Sequence, residues 1–382
     1  MESSAWSAPV HEVHSTIAAM ADSDRRAALA TVVAVEGSAY RRPGAKAVIK
    51  EGGDGTGTIT TGCLEDEVVE LASKVIESGK PTVVTYDLMD DDDVWGLGVG
   101  CNGITDILLE PLDASFEPVA SAYADDDPVA VVTAVESARD DIVVGNRTVV
   151  RPDGSTDEGG QLPISIVDAV ADAAADLATN GKSRSIAVPG ELVTVFVDGV
   201  APLPVLAILG TGHDVVPLVE CGKRNGFRVQ VIGFRGGTDL ATRFPKADGT
   251  GTTRVADLRT DYTFDERTYA VVMSHNFVDD RFAVAELLKT DVPYLGLMGP
   301  RERFEEILES YDEEQRRTVE ASLGRVYTPV GLDLGGGSPH QIATSVVAEA
   351  LAVHNDRTPG HLKAREGPIH DRVELGSTGR GP

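Results

Sequence analysis

The stretch Val205-Leu206-Ala207-Ile208-Leu209-Gly210-Thr211-Gly212-His213 decides the fold class of the second half of the chain. Its five apolar residues predict a buried strand, its two glycines predict a tight turn, and residues 213–225 predict a helix. Such a turn lets backbone N–H groups at the start of the helix approach a phosphate without an intervening side chain. We therefore predict that Gly210 and Gly212 form a phosphate-binding turn; the alternative is a turn that serves close helix packing only.

Two features of this turn differ from the usual dinucleotide-binding fingerprint. Val215 occupies the position of the third glycine, and the next strand ends in Gly233-Phe234-Arg235 without the acidic residue that binds a ribose. Both features argue against NAD(P) and favour another phosphate-bearing ligand. Arg235 stands where it would either meet a phosphate or pair with an acid of the protein.

Strands and helices alternate from residue 203 to residue 356, which is typical of a doubly wound parallel sheet. Further strands are predicted at residues 228–234, 269–273, 294–297 and 326–327, and a last helix at 341–353. Residues 357–382 contain several glycines and prolines and are predicted to form a tail.

The first half of the chain, residues 1–202, is rich in strands and loops. A short helix is predicted from the apolar spacing of Val13, Ile17 and Met20. Strands are predicted at 28–35, 46–50, 57–61, 82–86, 105–110, 130–135, 141–144 and 192–197, a turn at 52–55, a helix at 64–78 and a linker at 198–204. The predicted fold class is α/β, with a mixed α+β N-terminal domain followed by a Rossmann-like domain with a doubly wound parallel sheet at 203–356.

The composition is that of a globular protein, because 42% of the 382 residues are hydrophobic and 25% are charged. The formal net charge of −27 argues against nucleic acid as a partner, since duplex binding requires clustered Lys and Arg. The acidic residues are spread along the chain, which favours a solvated, halophilic surface. In molar salt the Debye length is about 3 Å, so a phosphate site would work by direct contact.

The three cysteines, Cys63, Cys101 and Cys221, are odd in number and widely spaced, which argues against a disulfide scaffold. No stretch approaches the roughly 20 apolar residues of a membrane span, and no secretory leader is recognisable. We therefore expect a cytoplasmic protein without a membrane span. Cys221 falls on the apolar face of the helix after Gly212 and is expected to serve packing.

Several strings of this sequence resemble the XdhC/CoxI family of xanthine dehydrogenase accessory factors. The N-terminal strings are EGSAYRRPGAK at 36–46, TGCLEDEV at 61–68 and WGLGVGCNG at 95–103. The C-terminal strings are GTGH at 210–213, SHN at 274–276, GLMGPR at 296–301 and PVGLDLG at 329–335. The family's signature loops fall within 28–112, and a variable, strand-rich part follows at 113–202.

The resemblance implies a protein that binds molybdenum cofactor (molybdopterin), shields it, and delivers it to apoenzymes of the xanthine dehydrogenase or carbon monoxide dehydrogenase class. Such a maturation chaperone needs no catalysis, so the resemblance favours a binding protein over an enzyme. The implied partners are a molybdenum hydroxylase apoenzyme and a sulfurase that supplies the terminal sulfur. We also expect a homodimer.

Two cysteines of these strings are the candidate contacts to molybdenum. Thiolates suit a soft, sulfur-bound metal, and Cys63 and Cys101 both stand in glycine-containing loops. Arg41 and Arg42 are candidates for the phosphate of the cofactor, because planar guanidinium groups match phosphate geometry. The alternatives are that the cysteines are small buried apolar residues and that the arginines pair with acids of the protein.

Three further residues are candidates for cofactor binding in the second half. His213 follows Gly212 at the helix start, and His275 follows an apolar strand, near the edge where ligands of open α/β sheets bind. Asp333 stands in a glycine-rich loop, where it would either hold a hydroxyl or amide group of the ligand or stabilise a turn. His213 has the alternative role of a capping or solvated side chain.

Two other functions compete with cofactor delivery. The first is an NAD(P)-dependent oxidoreductase that uses the Rossmann half, with His275 as an acid or base. The second is a maturation factor that handles sulfur on Cys101 for a sulfur- or selenium-modified hydroxylase. Nicotinamide fluorescence with hydride transfer would identify the first, and transfer of labelled sulfur onto Cys101 the second.

Overall fold

The computed structural model describes residues 6–37, 40–60, 62, 64–87, 103–125, 127–237 and 239–364. These residues form two compact units, the first ending at Pro202 and the second beginning at Leu203. Each unit has its own sheets and hydrophobic cores.

The first unit consists of two antiparallel sheets and four α-helices among its described residues. The elements are α1 Val10–Ala21, β1 Ala27–Gly37, β2 Lys46–Lys50, β3 Gly55–Gly57, α2 Glu65–Ser78, β4 Thr82–Asp87, β5 Gly103–Pro111, α3 Glu117–Asp125, β6 Val129–Ser137, β7 Arg147–Val150, α4 Ile164–Asn180, β8 Ser183–Val188 and β9 Val193–Val200. One sheet has the strand order β3-β2-β1-β5-β4 and the other the order β7-β6-β9-β8.

Apolar side chains join the two sheets of the first unit and cover their outer faces. Helix α2 packs on the five-stranded sheet, and α4 packs on the four-stranded sheet. Val33 and Leu108 of the five-stranded sheet cluster with Val135 and Phe196 of the four-stranded sheet. Helices α1 and α3 complete this core with residues of both sheets. The predicted mixed α+β domain is therefore confirmed.

The second unit is built around one parallel sheet. Its elements are β10 Val205–Leu209, α5 Val215–Arg224, β11 Arg228–Gly233, α6 Leu240–Arg243, β12 Gly249–Thr252, α7 Leu258–Asp261, β13 Thr268–Val272, α8 Phe277–Leu287, β14 Tyr294–Leu297, α9 Arg301–Glu309, α10 Glu313–Ser322, β15 Val326–Tyr327 and α11 Pro339–His354. The strand order is β12-β11-β10-β13-β14-β15, and every pair is parallel. From β10 the chain first adds β11 and β12 on one side of the sheet and then adds β13, β14 and β15 on the other side. The order of strands therefore reverses between β10 and β13, which is the switch point of a doubly wound sheet.

Helices cover both faces of the parallel sheet. Leu206 and Ile208 of β10 pack with α5 and α11, whereas Ala207 and Leu209 pack with α8 and α9. Val215, in the position of the third glycine of the fingerprint, is fully buried in the first of these cores. The predicted Rossmann-like, doubly wound parallel sheet is confirmed. The predicted bounds of β2, β10, β14 and β15 agree with the observed ones.

Two predicted strands of the first unit are wrong. The strand predicted at 57–61 is observed at Gly55–Gly57. It ends at Gly57 because the φ of this residue, 105°, lies outside the extended region. A Cβ atom on Gly57 would lie 2.4 Å from the Lys46 carbonyl oxygen. The predicted strand at 141–144 is a loop. Gly145, with a φ of 92°, turns the chain, and pairing with β6 begins only at β7.

The predicted linker at 198–204 is too long, because Asp198 belongs to β9. Asp198 pairs in register with Ser183 of β8 and is 6% exposed. Its carboxylate is bound by the Ser183 hydroxyl and the Lys46 ammonium group, which is why a charged residue can occupy a buried strand position.

Candidate functional site

The loops that follow β10 and β13 leave neighbouring strands at the carboxyl edge of the parallel sheet. Leu209 and Val272 are partners in the ladder, and the Met273 amide donates to the Leu209 carbonyl at 2.9 Å. The Gly210 turn and the Ser274–Asn276 loop therefore start side by side at the switch point, where open α/β sheets bind ligands.

The two glycines of the turn approach neighbouring atoms closely, Gly210 the backbone and Gly212 a side chain. A Cβ atom on Gly210 would lie 2.3 Å from the Met273 carbonyl oxygen, and a Cβ atom on Gly212 would lie 2.2 Å from Oδ1 of Asp214. The same Cβ atom on Gly212 would lie 3.6 Å from Cδ2 of His275. Backbone packing thus accounts for Gly210 without a ligand, whereas the contact at Gly212 is with a side chain that can move. Both glycines also keep the approach to the start of α5 free of side chains at these positions.

His275 and Asp214 form an ion-pair-type hydrogen bond across the switch point. Nε2 of His275 lies 2.8 Å from Oδ2 of Asp214, and the side chains are 57% and 29% exposed. His275 has a φ of 57°, the left-handed region that non-glycine residues seldom adopt. Asp214 occupies the N-cap position of α5, yet its side chain makes no capping hydrogen bond. The pair orients an accessible imidazole by a carboxylate, an arrangement suited to ligand binding or proton transfer.

The buried carboxylate of Asp280 holds the loop that contains His275. It is 1% exposed and accepts hydrogen bonds from the Ser274 amide at 3.2 Å and from the Ser274 hydroxyl. Its other oxygen accepts two bonds from Arg303, at 3.2 Å from Nε and 2.5 Å from Nη2. Asn276 caps α8 by accepting from the amides of residues 278 and 279, both at 3.0 Å. The loop is therefore fixed by a buried carboxylate and a helix cap.

The sequence prediction missed Asp214, Asp280 and Arg303. Asp214 and Asp280 each lie near the start of a helix that follows a strand, close to a predicted motif. This position is the sequence feature by which they could have been chosen as candidates. Arg303 packs against Gly299, where a Cβ atom would lie 2.8 Å from Cδ of Arg303.

The other predicted residues of the second unit lie at or near the surface. His213 and Asp333 are exposed, Asp333 in the loop that follows β15. Arg235 is 70% exposed, and its Nη2 atom lies 3.0 Å from Oδ2 of Asp279. Of the two roles predicted for Arg235, the structure shows the ion pair with an acid of the protein. Cys221 lies half-buried against the core of α5 and α11, where burial raises the pKa of its thiol.

The predicted arginines of the first unit lie in the loop between β1 and β2. Arg41 is half-buried, and its Nε atom is buried without a hydrogen-bond partner among the described residues. Arg42 is exposed, and its carbonyl accepts from the Ala45 amide at 3.1 Å in a tight turn. Cys63 and Cys101, the candidate contacts to molybdenum, lie outside the described residues.

Glu65, at the start of α2, organises the backbone on either side of residue 63. Its carboxylate accepts hydrogen bonds from the Thr60 hydroxyl at 2.6 Å and from the Gly62 amide at 2.8 Å. The Leu64 amide donates to the same carboxylate at 3.2 Å. A carboxylate at this position also complements the helix dipole.

Within the part of the chain that the structure describes, no group of three or more His, Cys, Asp or Glu residues is placed to hold a metal ion. The described helices include none with the length and apolar character needed to cross a membrane. The second unit nevertheless presents an oriented histidine beside a glycine turn at the carboxyl edge of its sheet, the edge where open α/β sheets generally bind ligands.

Two named proteins and one solved structure are similar to the chain over much of its length. It is 28% identical over 343 residues to a probable xanthine dehydrogenase subunit of Bacillus subtilis strain 168, covering 88% of this chain and 96% of that protein. It is 25% identical over 274 residues to the uncharacterized protein YqeB of Escherichia coli K12, covering 67% of this chain and 48% of YqeB. A crystal structure of a xanthine dehydrogenase from Bacillus halodurans is similar with a TM-score of 0.71 and 26% identity, covering 90% of this chain and 96% of that one.

Family matches fall in both units. Residues 206–350 match the XdhC Rossmann domain, and residues 20–87 match the XdhC and CoxI family. The first match contains the switch-point loops with Gly210 and His275, and the second contains Arg41, Arg42 and residue 63. The chain therefore belongs to the XdhC and CoxI family.

Proposed function

We propose that this protein is an accessory factor of a xanthine dehydrogenase, which binds molybdenum cofactor as cargo and delivers it to the apoenzyme of a molybdenum hydroxylase. The observation that carries the proposal is the similarity to the probable xanthine dehydrogenase subunit of Bacillus subtilis, which extends over 96% of that protein. The association with xanthine dehydrogenase rests on this similarity and on the family.

The start of α5 would both attract an anionic cofactor, through its amide groups, and repel it, through Asp214. Amide groups at the start of α5 favour a phosphate by about 0.3–1 kcal/mol, but the Asp214 carboxylate stands at the same helix start. His275 compensates part of this charge when it is protonated, and its bond to Asp214 directs the imidazole. We propose that Gly210 and Gly212 admit the phosphate and that His213 and His275 contact it, with Asp333 binding a hydroxyl or amide group.

The first unit offers the half-buried Arg41, whose Nε atom is buried. Because Nε of Arg41 has no partner among the described residues, a cofactor oxygen would satisfy a donor that is otherwise costly to bury. We propose that Arg41 and Arg42 bind the cofactor's phosphate or pterin oxygens. We further propose that the thiolates of Cys63 and Cys101 contact molybdenum, which prefers soft ligands.

Anaerobic purification from a host with sufficient molybdenum cofactor tests the cargo. We expect the wild-type protein to carry molybdenum and pterin together, and Cys101→Ser to carry much less of both. Cys221→Ser is the matched control, because Cys221 packs against the core of the second unit, and it should retain the wild-type load. Equal amounts of molybdenum and pterin in all three proteins would show that Cys101 does not bind the cofactor. A wild-type protein without pterin would contradict cofactor binding.

Delivery is tested with a cofactor-free molybdenum hydroxylase. The loaded wild-type protein should restore hydroxylase activity faster than the same amount of free cofactor does. A sulfurase and a second copy of the chain are further proposed partners, which co-purification and light scattering of the loaded protein would detect. Restoration at the rate of free cofactor would leave the protein without a delivery role.

An NAD(P)-dependent oxidoreductase is the second candidate. It is favoured by the strand order of the parallel sheet and by the oriented His275 at the switch point. It is opposed by Val215 in place of the third glycine and by the absence of an acid at the end of the β11 sequence. Quenching or enhancement of NADPH fluorescence, followed by hydride transfer to a substrate, would favour it over cofactor delivery.

A further inference from the structure

The first unit contains a cavity between its two sheets, lined by apolar and by charged side chains. Lys46, Glu110, Tyr123, Arg147 and Asp198 line it, together with apolar side chains of α1, α3 and both sheets. About 20 Å³ is open to the centre of a water-sized particle. A cavity needs roughly 10–15 Å³ by this measure to hold one water molecule, so this cavity holds one small particle or at most two.

Two buried ion pairs balance the charges of the cavity wall. Nη2 of Arg147 lies 2.5 Å from Glu110, and their side chains are 8% and 4% exposed. Nζ of Lys46 lies 2.6 Å from Asp198, whose other oxygen accepts from a serine hydroxyl at 2.7 Å. The carboxylates are thus already engaged by the protein's own donors.

Two residues that line the cavity carry unpaired donors. Nε and Nη1 of Arg147 and the hydroxyl oxygen of Tyr123 are buried, and none of them has a hydrogen-bond partner among the described residues. Arg147 as a whole is 7% exposed, so bulk water does not satisfy these groups. Buried N–H groups without an acceptor are rare in folded proteins, because the lost hydration is not replaced.

Aromatic packing holds both donor groups in place. The Arg147 guanidinium carbon lies 3.7 Å from the centroid of the Phe116 ring, so this face is covered and a ligand must approach the N–H edge. The Tyr123 ring stacks on His14 with centroids 3.7 Å apart and an interplanar angle of 8°. The donors are therefore fixed before a ligand arrives, which reduces the entropy lost on binding.

We propose that this cavity binds one small inorganic anion of the size of chloride, held by the Nε and Nη1 groups of Arg147 and by the Tyr123 hydroxyl. A halide accepts several hydrogen bonds and donates none, whereas a water molecule must also place its own two protons. The unpaired groups of the lining residues Arg147 and Tyr123 are N–H donors and one hydroxyl that can donate, and a guanidinium charge strengthens bonds to an anion. The site shares no residue with the proposed cofactor-binding set and does not depend on cofactor delivery.

Bromide, which scatters X-rays anomalously, is the direct probe. Crystals of the wild-type protein grown in sodium bromide should show one anomalous peak in the cavity, within hydrogen-bond distance of Arg147 and Tyr123. A cavity without an anomalous peak, or one whose density is that of water, would overturn the proposal. This measurement needs no variant and is unaffected by any folding defect.

Thermal unfolding in matched salts is the second test. The midpoint of the wild-type protein should rise with sodium chloride in a saturable way and exceed the midpoint in sodium gluconate at equal ionic strength. Tyr123→Phe removes one donor and should require roughly tenfold more chloride for the same rise, since a hydrogen bond to a charged group contributes about one factor of ten.

Tyr86→Phe is the matched control for the loss of a buried hydroxyl. The Tyr86 hydroxyl is also buried without a partner among the described residues, but Tyr86 packs against α2 and does not line the cavity. It should respond to chloride as the wild-type protein does. Equal midpoints in chloride and gluconate, or an equal loss of the response in both variants, would contradict anion binding at this cavity.

Discussion

Asp214 and His275 stand 61 positions apart in the sequence, and a single hydrogen bond of 2.8 Å joins them. The sequence predicted His275 as a binding residue because it follows a buried strand. The only signal for Asp214 is its position at a helix start, and an aspartate there usually caps that helix. The carboxylate turns to the imidazole instead, and the choice between these partners depends on which strands are neighbours.

Burial lowers the pKa of His14 to about 3, and the charges of Lys46 and His11 act in the same direction. The unfolded chain takes up this proton near its ordinary pKa, about 6.5, whereas the folded protein stays neutral until about pH 3. Protons therefore bind the unfolded state preferentially in this window. The stability associated with neutral His14 is present above about pH 6.5 and is lost as the pH falls toward 3.

His14→Phe keeps an aromatic ring against Tyr123 and removes the titrating group. Between pH 7 and pH 4 the wild-type protein should lose about 3 kcal/mol more of its free energy of unfolding than this variant does. Urea unfolding at a series of pH values measures the difference. Curves that run parallel over this range would show that His14 titrates normally in the folded protein.

At the scale of elements, the loop after β13 depends on the start of α8 and on α9. Asp280 is buried and Arg303 is 24% exposed, so the two partners of this ion pair are not equivalent. Arg303→Met leaves a buried carboxylate without its cation and should cost about 3–5 kcal/mol of unfolding free energy. Asp280→Asn should cost less, because the arginine can reach solvent.

Urea unfolding of both single variants and of the double variant measures the coupling between Asp280 and Arg303. Arg235→Met is the control, since it removes an exposed ion pair to the neighbouring Asp279 and should cost at most about 1 kcal/mol. Purely additive effects of Asp280→Asn and Arg303→Met would mean that the pair does not hold the His275 loop.

Local patterns predicted the elements unevenly, and the failures have physical causes. Strand β12, Gly249–Thr252, was missed because its glycines and threonines lack an apolar alternation, and it is stabilised as an edge strand by pairing with β11. Helix α4, Ile164–Asn180, was missed although its buried residues recur at helical spacing, because alanines on both its buried and its exposed sides weaken the apolar contrast. Helix α2 was predicted well, since Gly79 ends it in a left-handed conformation.

At the scale of the whole molecule, the second unit buries its parallel sheet with its own helices. The cores on both faces consist entirely of residues between 206 and 353. A fragment of residues 203–364 should therefore fold alone and unfold in one cooperative urea transition, because parallel sheets need cover on both faces and this one has it. Circular dichroism and tyrosine fluorescence would follow the transition. A fragment with helical signal but no cooperative transition would contradict an independent domain.

Periodicity, turn residues and the family strings by themselves determined the mixed first unit, the Rossmann-like second unit, most strand positions and the family. These signals are local, because a buried strand or a helix end is encoded within a few residues. Only the tertiary structure decided that Asp214 binds His275, that Asp280 holds the Ser274–Asn276 loop, and that Arg147, Tyr123 and Lys46 line one cavity. These contacts join residues far apart in the chain, and their energy depends on burial and strand order, which no local pattern contains.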